Sequence, residues 1–173
     1  MVKFTYNLKI LNMGWWSKDI MGGDSPLDAK DEIYGICGVD EFGDGDDDNP
    51  GREIKREDIE AHLLEILEAF RKVKNNDYYD EAAIYFQVLG VLMMKTGTPI
   101  SPELKQEILD KSQTDSWAKE DLERGEIVEN FHVAIEKYDG TPIVIRSRGL
   151  FEAISDHIEN GGTGLVNVGK NIE

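Results

Sequence analysis

Apolar positions recur along this chain at two periods. Between residues 57 and 74, Ile59, Leu63, Ile66, Leu67, Phe70 and Val73 return at helical spacing with charged residues between them, which predicts an amphipathic helix. Between about 78 and 96 the pattern changes. Ala82, Ala83, Ile84, Phe86, Val88, Leu89, Val91, Leu92, Met93 and Met94 leave scarcely any polar face. A helix apolar on all sides must be surrounded, so this one is predicted to be the axis of the core, capped by Asp77 and ended by Gly97 and Pro99. A third helix follows from Ser101-Pro102-Glu103, a cap and then a proline at the first helical position, and runs to about Ser112.

Earlier and later elements are shorter. Ser25 reads as an N-cap, Pro26 as the first helical residue and Asp28 as the third, starting a helix over about 26–36 with Leu27, Ile33, Tyr34 and Cys37 on one side and Gly38 after it. A short helix at Ser116 carries Trp117 and Leu122. Residues 126–138 form another, and 149–159 a last one. Period two appears at 2–10, where Val2, Phe4, Tyr6, Leu8 and Ile10 alternate with polar residues as in a half-buried strand. Its predicted partner is 141–146, T-P-I-V-I-R, with 165–168 as the weaker candidate. Met13 offers a second translation start, so residues 1–12 could instead be an upstream extension; their clean alternation favours the strand. The expected fold is mainly α: a single domain of five to seven helices around the helix at about 78–96, with a small β element from 2–10 and 141–146.

Length and charge narrow the function. A chain of 173 residues suits one domain with a real core. Thirty-five acids against 19 bases give a net charge of −16. Direct nucleic-acid binding needs clustered Lys and Arg and is not expected. No apolar run approaches the about 20 residues of a membrane span, and no signal segment precedes the first strand, so a cytoplasmic protein is expected. One cysteine, Cys37, cannot form an internal disulfide.

Three stretches invite chemistry. Residues 39–51, V-D-E-F-G-D-G-D-D-D-N-P-G, form an acidic loop carrying Asp40, Glu41, Asp44, Asp46, Asp47 and Asp48 without a base. Aligned from Asp46 it has the spacing of a calcium loop, but Pro50 stands where a ligand belongs and Glu53 where an apolar residue packs. No cofactor is expected from it; a loosely held divalent cation is the alternative. Glu65-x-x-Glu68 with Asp77-x-x-Asp80 has the look of the carboxylate pairs of all-α nucleotide pyrophosphatases, yet the helical phase turns Glu65 and Glu68 outward. The stretch 13–37 holds Trp15 and Trp16, which cannot both enter one core face, together with Asp24 and Asp28; these four are the candidate ligand- or partner-binding residues. His62, His132 and His157 stand in no metal-ligand spacing.

Met13-Gly14-x-Trp16, followed by Ile20, Asp24, Leu27 and Asp28, resembles the opening of a bacterial domain-of-unknown-function family, number 4259. The helix from Ala82 to Met94, with Gly97 and Pro99 after it, is similar to that family's second conserved block. Ser17 departs from the usual glycine, Pro26 stands where an alanine is common, and residues 1–12 are extra. The likeness spans about 13–158, extends to phage proteins, and implies a mostly helical domain with no known activity.

Three functions are compatible with this reading. The foremost is a non-enzymatic, acidic, phage- or bacterium-encoded modulator that binds a basic, nucleic-acid-binding protein. The alternatives are a carboxylate-dependent metal enzyme and a small-molecule binder with a tryptophan-lined pocket.

Overall fold

A computed structural model describes residues 17–43, 50–75 and 80–144. Its elements are α1 (Asp24–Ile36), α2 (Arg56–Phe70), α3 (Glu81–Thr96), α4 (Pro102–Ser112), α5 (Ser116–Glu120) and α6 (Leu122–Lys137). The fold is mainly helical, as the periodicity predicts. Helix α3 is the axis: α1, α2, α4 and α6 all pack on it, and every residue from Phe86 to Met94 is buried. Close approach of α6 requires Gly90. A β-carbon there would lie 2.8 Å from Phe131 Cζ and 3.0 Å from Ile135 Cδ1, closer than real β-carbons come. Phe70 of α2 meets Tyr85 and Phe86 of α3 edge-on, at centroid distances of 4.9 and 6.1 Å.

The caps explain where the elements stop. In α4, Ser101 Oγ accepts from Leu104 N at 3.2 Å with Pro102 behind it, as predicted. Helix α3 ends at Gly97, whose φ of +78° is the left-handed conformation glycine adopts without strain. The amides of Gly97 and Thr98 both turn back to the Met93 carbonyl. The Tyr138 hydroxyl lies 3.1 Å from the carbonyls of Met93 and Thr98, so the chain after α6 closes over the same helix end.

That closure corrects the expected β element. Residues 141–144 are not a strand: the Ile143 amide donates to the Met94 carbonyl at 2.9 Å, and Pro142, which has no N–H to give a ladder, packs against Gly97. The backbone group a sheet would have used is spent on the end of α3. The other half of the prediction, 2–10, and the helix expected at 149–159 lie outside the described residues.

Four boundaries also differ. Helix α3 starts at Glu81 with Asp80, not Asp77, at its N-cap; Asp77 lies outside the described residues. Helix α1 starts at Asp24, with Gly23 rather than Ser25 at the N-cap; a proline is tolerated anywhere in a first turn, because those amides have no intrahelical acceptor. Leu27 is 38% exposed, so the buried side of α1 is Pro26, Ala29, Ile33 and Tyr34. Helix α2 stops at Phe70, and α6 begins four residues before the expected 126, at Leu122, because the Asp121 carboxylate accepts from Arg124 N at 3.0 Å.

Candidate functional site

The most unusual chemistry lies where α3, the α4–α5 turn and α6 meet. Arg124, in the first turns of α6, has no exposed surface at all. A guanidinium cannot shed its proton in a protein, so burial must be matched by partners. Nε and Nη2 donate to Asp115 Oδ2 at 3.2 and 3.0 Å. Nη2 also donates to Gln87 Oε1 at 2.8 Å, and Nη1 to the Lys18 carbonyl at 2.8 Å. The Trp117 ring covers one face, 5.1 Å from the guanidinium carbon. Asp19, also buried, adds a second carboxylate whose field reaches Arg124. Burial pushes the guanidinium below its ordinary value, opposed by Asp115, Asp19 and Asp121.

Each partner is held in turn. Asp115 caps α5 by accepting from Ala118 N at 3.0 Å. Gln87, fully buried on α3, donates from Nε2 to Asp115 Oδ2 and to Ser112 Oγ, both at 3.1 Å. Ser112 Oγ lies 2.8 Å from His132 Nε2. Lys18, just ahead of Asp19, reaches Asp121 and Glu123, each at 2.8 Å. The network therefore joins four parts of the chain, including residues 17–22 of the stretch that stood out in the sequence.

Ser112 and His132 are spaced like a nucleophile and its base. Ser112 is fully buried, however, and its oxygen already accepts from Gln87. His132 is only partly buried, but the Ser112 hydroxyl lies in the interior and presents no nucleophile to a substrate. Cys37 is likewise internal: burial pushes its thiol up to about 11, and its Sγ lies 3.5 Å from the Asp58 carbonyl.

The residues singled out from the sequence lie elsewhere. Asp24 and Asp28 are exposed on α1. Burial of the Tyr85 hydroxyl, with the fields of Glu32, Asp28 and Glu81 adding to it, raises it to about 12. Asp40 is exposed, and its Oδ1 accepts from the amides of Phe42 and Gly43 at 3.0 and 2.9 Å, which shapes the turn. Glu41 pairs with Lys30 at 2.5 Å. Trp15, Trp16, Asp44, Asp46, Asp47 and Asp48 lie outside the described residues. The stems of the acidic loop are clamped together: Arg52 N donates to the Asp40 carbonyl at 2.8 Å, and Gly51, at φ +72°, fits so tightly that a β-carbon would lie 2.5 Å from the Glu41 carbonyl. Phe42, beside the clamp, is 82% exposed.

Among the described residues no three His, Cys, Asp or Glu side chains are gathered as a metal site. Glu65 and Glu68 face outward, as the helical phase predicts, and Asp80 is committed to the Ser116 amide and to Asn75. No described helix is long and apolar enough to cross a membrane.

Sequence reasoning missed the Arg124 network. Gln87 lies 28 residues from Asp115 and 37 from Arg124, and the three belong to no spacing motif. The one available signal was Gln87, a polar residue inside an otherwise apolar helix. No family model matches the chain, and no curated protein or solved structure matches it either. The likeness to family 4259 thus rests on the quoted residues alone.

Proposed function

We propose that the protein is a non-enzymatic acidic modulator whose surface engages a basic partner of the nucleic-acid-binding kind, competing with phosphate by charge. One observation carries this reading. Lys18, Lys30, Arg52, Arg56, Arg71, Lys95 and Arg124 all lie in ion pairs with the chain's own carboxylates. These seven of the 19 bases thus lie beside acids, and over the whole chain 35 acids against 19 bases leave a net −16. A surface of that sign draws a cationic partner at long range. Phe42, projecting beside the clamped stems of the acidic loop, supplies an apolar anchor of the type that binding energy concentrates on. The polar network at Arg124 is consumed internally and leaves recognition to the exterior.

The experiment is affinity capture from the native host, followed by titration of the purified partner against increasing salt. Affinity is expected to fall steeply with ionic strength and with neutralisation of Asp44, Asp46, Asp47 and Asp48 to Asn, and duplex DNA is expected to compete. An affinity indifferent to salt and to the four substitutions would overturn the reading.

A further inference from the structure

The hydrogen-bond chain between α3, α4 and α6 has a fixed direction. Gln87 Oε1 accepts from Arg124 Nη2, so its amide NH2 faces Asp115 Oδ2 and Ser112 Oγ. A flipped amide would set an oxygen against a carboxylate and an NH2 against a guanidinium, so the orientation is settled by its neighbours. Ser112 Oγ must therefore accept from Gln87. Its own proton goes to the other hydroxyl partner, His132 Nε2, at 2.8 Å. That requires a bare Nε2, with the ring proton on Nδ1.

A second proton on the imidazole reverses this contact. Nε2 becomes a donor, Ser112 Oγ faces two donors, and its hydroxyl proton must turn away from both. Ser112 is fully buried, and Gln87 and His132 are its hydroxyl's partners among the described residues. The displaced proton has no acceptor among them, and a buried unpaired hydroxyl is costly.

We propose that the Ser112–His132 contact is an acid-sensitive latch between α4 and α6, closed while His132 is neutral and forced open when the imidazole is protonated. The charged groups around it pull in both directions. Glu129 and Glu136 on α6, and Asp115 on the α4–α5 turn, favour the imidazolium. Asp115 is itself occupied by Arg124. From α3 the neighbour is the uncharged Gln87, and on α4 the ammonium of Lys111, next to Ser112, lies over the Phe86 ring. Burial outweighs the three carboxylates and holds the imidazole below its ordinary value. The latch thus contributes stability in full above about pH 6.5, the ordinary histidine value, and loses it as pH falls from there through the lower folded value.

The test is nitrogen-resolved NMR of the histidine rings of the full chain, with His132 assigned from His132→Gln. His132 is expected as the Nδ1–H tautomer at pH 7.5, titrating below the ordinary histidine value of about 6.5. Ser112→Ala should release the tautomer and move the titration up toward the ordinary value. In parallel, denaturant unfolding at pH 8 and pH 5.5 should show a larger loss for the wild type than for His132→Gln, whose amide oxygen can still accept from Ser112 but cannot titrate. Should either variant fail to fold, the wild-type spectrum decides alone: an Nε2–H tautomer at neutral pH, or titration at or above the ordinary histidine value of about 6.5, overturns the latch.

Discussion

Replacing Arg124 by Met keeps most of the side-chain bulk and removes the charge. The change removes two donors from Asp115 Oδ2, which keeps the Gln87 amide at 3.1 Å, and takes the guanidinium donors from Gln87 Oε1 and the Lys18 carbonyl. Asp115 and Asp19 are then buried carboxylates without their cation. Removing one member of a buried ion pair costs about 3–5 kcal/mol. The orphaned carbonyls point toward the upper end, at about 1–3 kcal/mol each if left dry, although such terms do not add. With a urea slope of about 2 kcal/mol per molar for a domain of this size, the unfolding midpoint should fall by about 2 M at pH 7 with the slope unchanged. A cost below about 1 kcal/mol would refute the view that Arg124 is a desolvated charge held by these partners.

Three other outcomes follow from individual contacts. Gly90→Ala drives a methyl into the Phe131 ring and should cost about 1–3 kcal/mol as overpacking, less about 1 kcal/mol of helix propensity gained, a net loss that a thermal melt would read. Asp58 is bound through both oxygens by Arg52, at 2.6 and 2.8 Å, which holds its carboxyl down at about 2. The stability it adds is present above about pH 4 and lost as pH falls through 2, so wild type and Asp58→Asn should converge in acid unfolding curves over that window. Cys37, buried with its thiol raised to about 11, should react with a thiol reagent at pH 8 far more slowly in the native state than in denaturant; equal rates would place it at the surface.

Much of the fold was legible because its elements carry local signatures. The all-apolar run that became α3 could only be a core axis, and Ser101-Pro102 sets the start of α4 through bonds made within four residues. Where the reading failed, a distant contact overrode the local one. The sequence 141–144 alternates well enough for a strand, but the carbonyl of Met94, which has no intrahelical donor at the end of α3, captured the Ile143 amide. Helix α6 starts four residues ahead of the expected 126, and Gly125 lets it do so beside α5, since a β-carbon there would lie 2.7 Å from the Ala118 carbonyl.

Periodicity, capping residues and net charge are properties of neighbours in the chain, so the sequence by itself determined the helical class, the central helix and the acidic character. The candidate site has no such footprint. Arg124, Gln87, Asp115, Ser112 and His132 converge only because α3, α4 and α6 pack around one axis, and residues 17–22 join them through a backbone carbonyl, which any residue could supply. Burial makes these polar groups depend on one another, and burial is decided by tertiary packing alone.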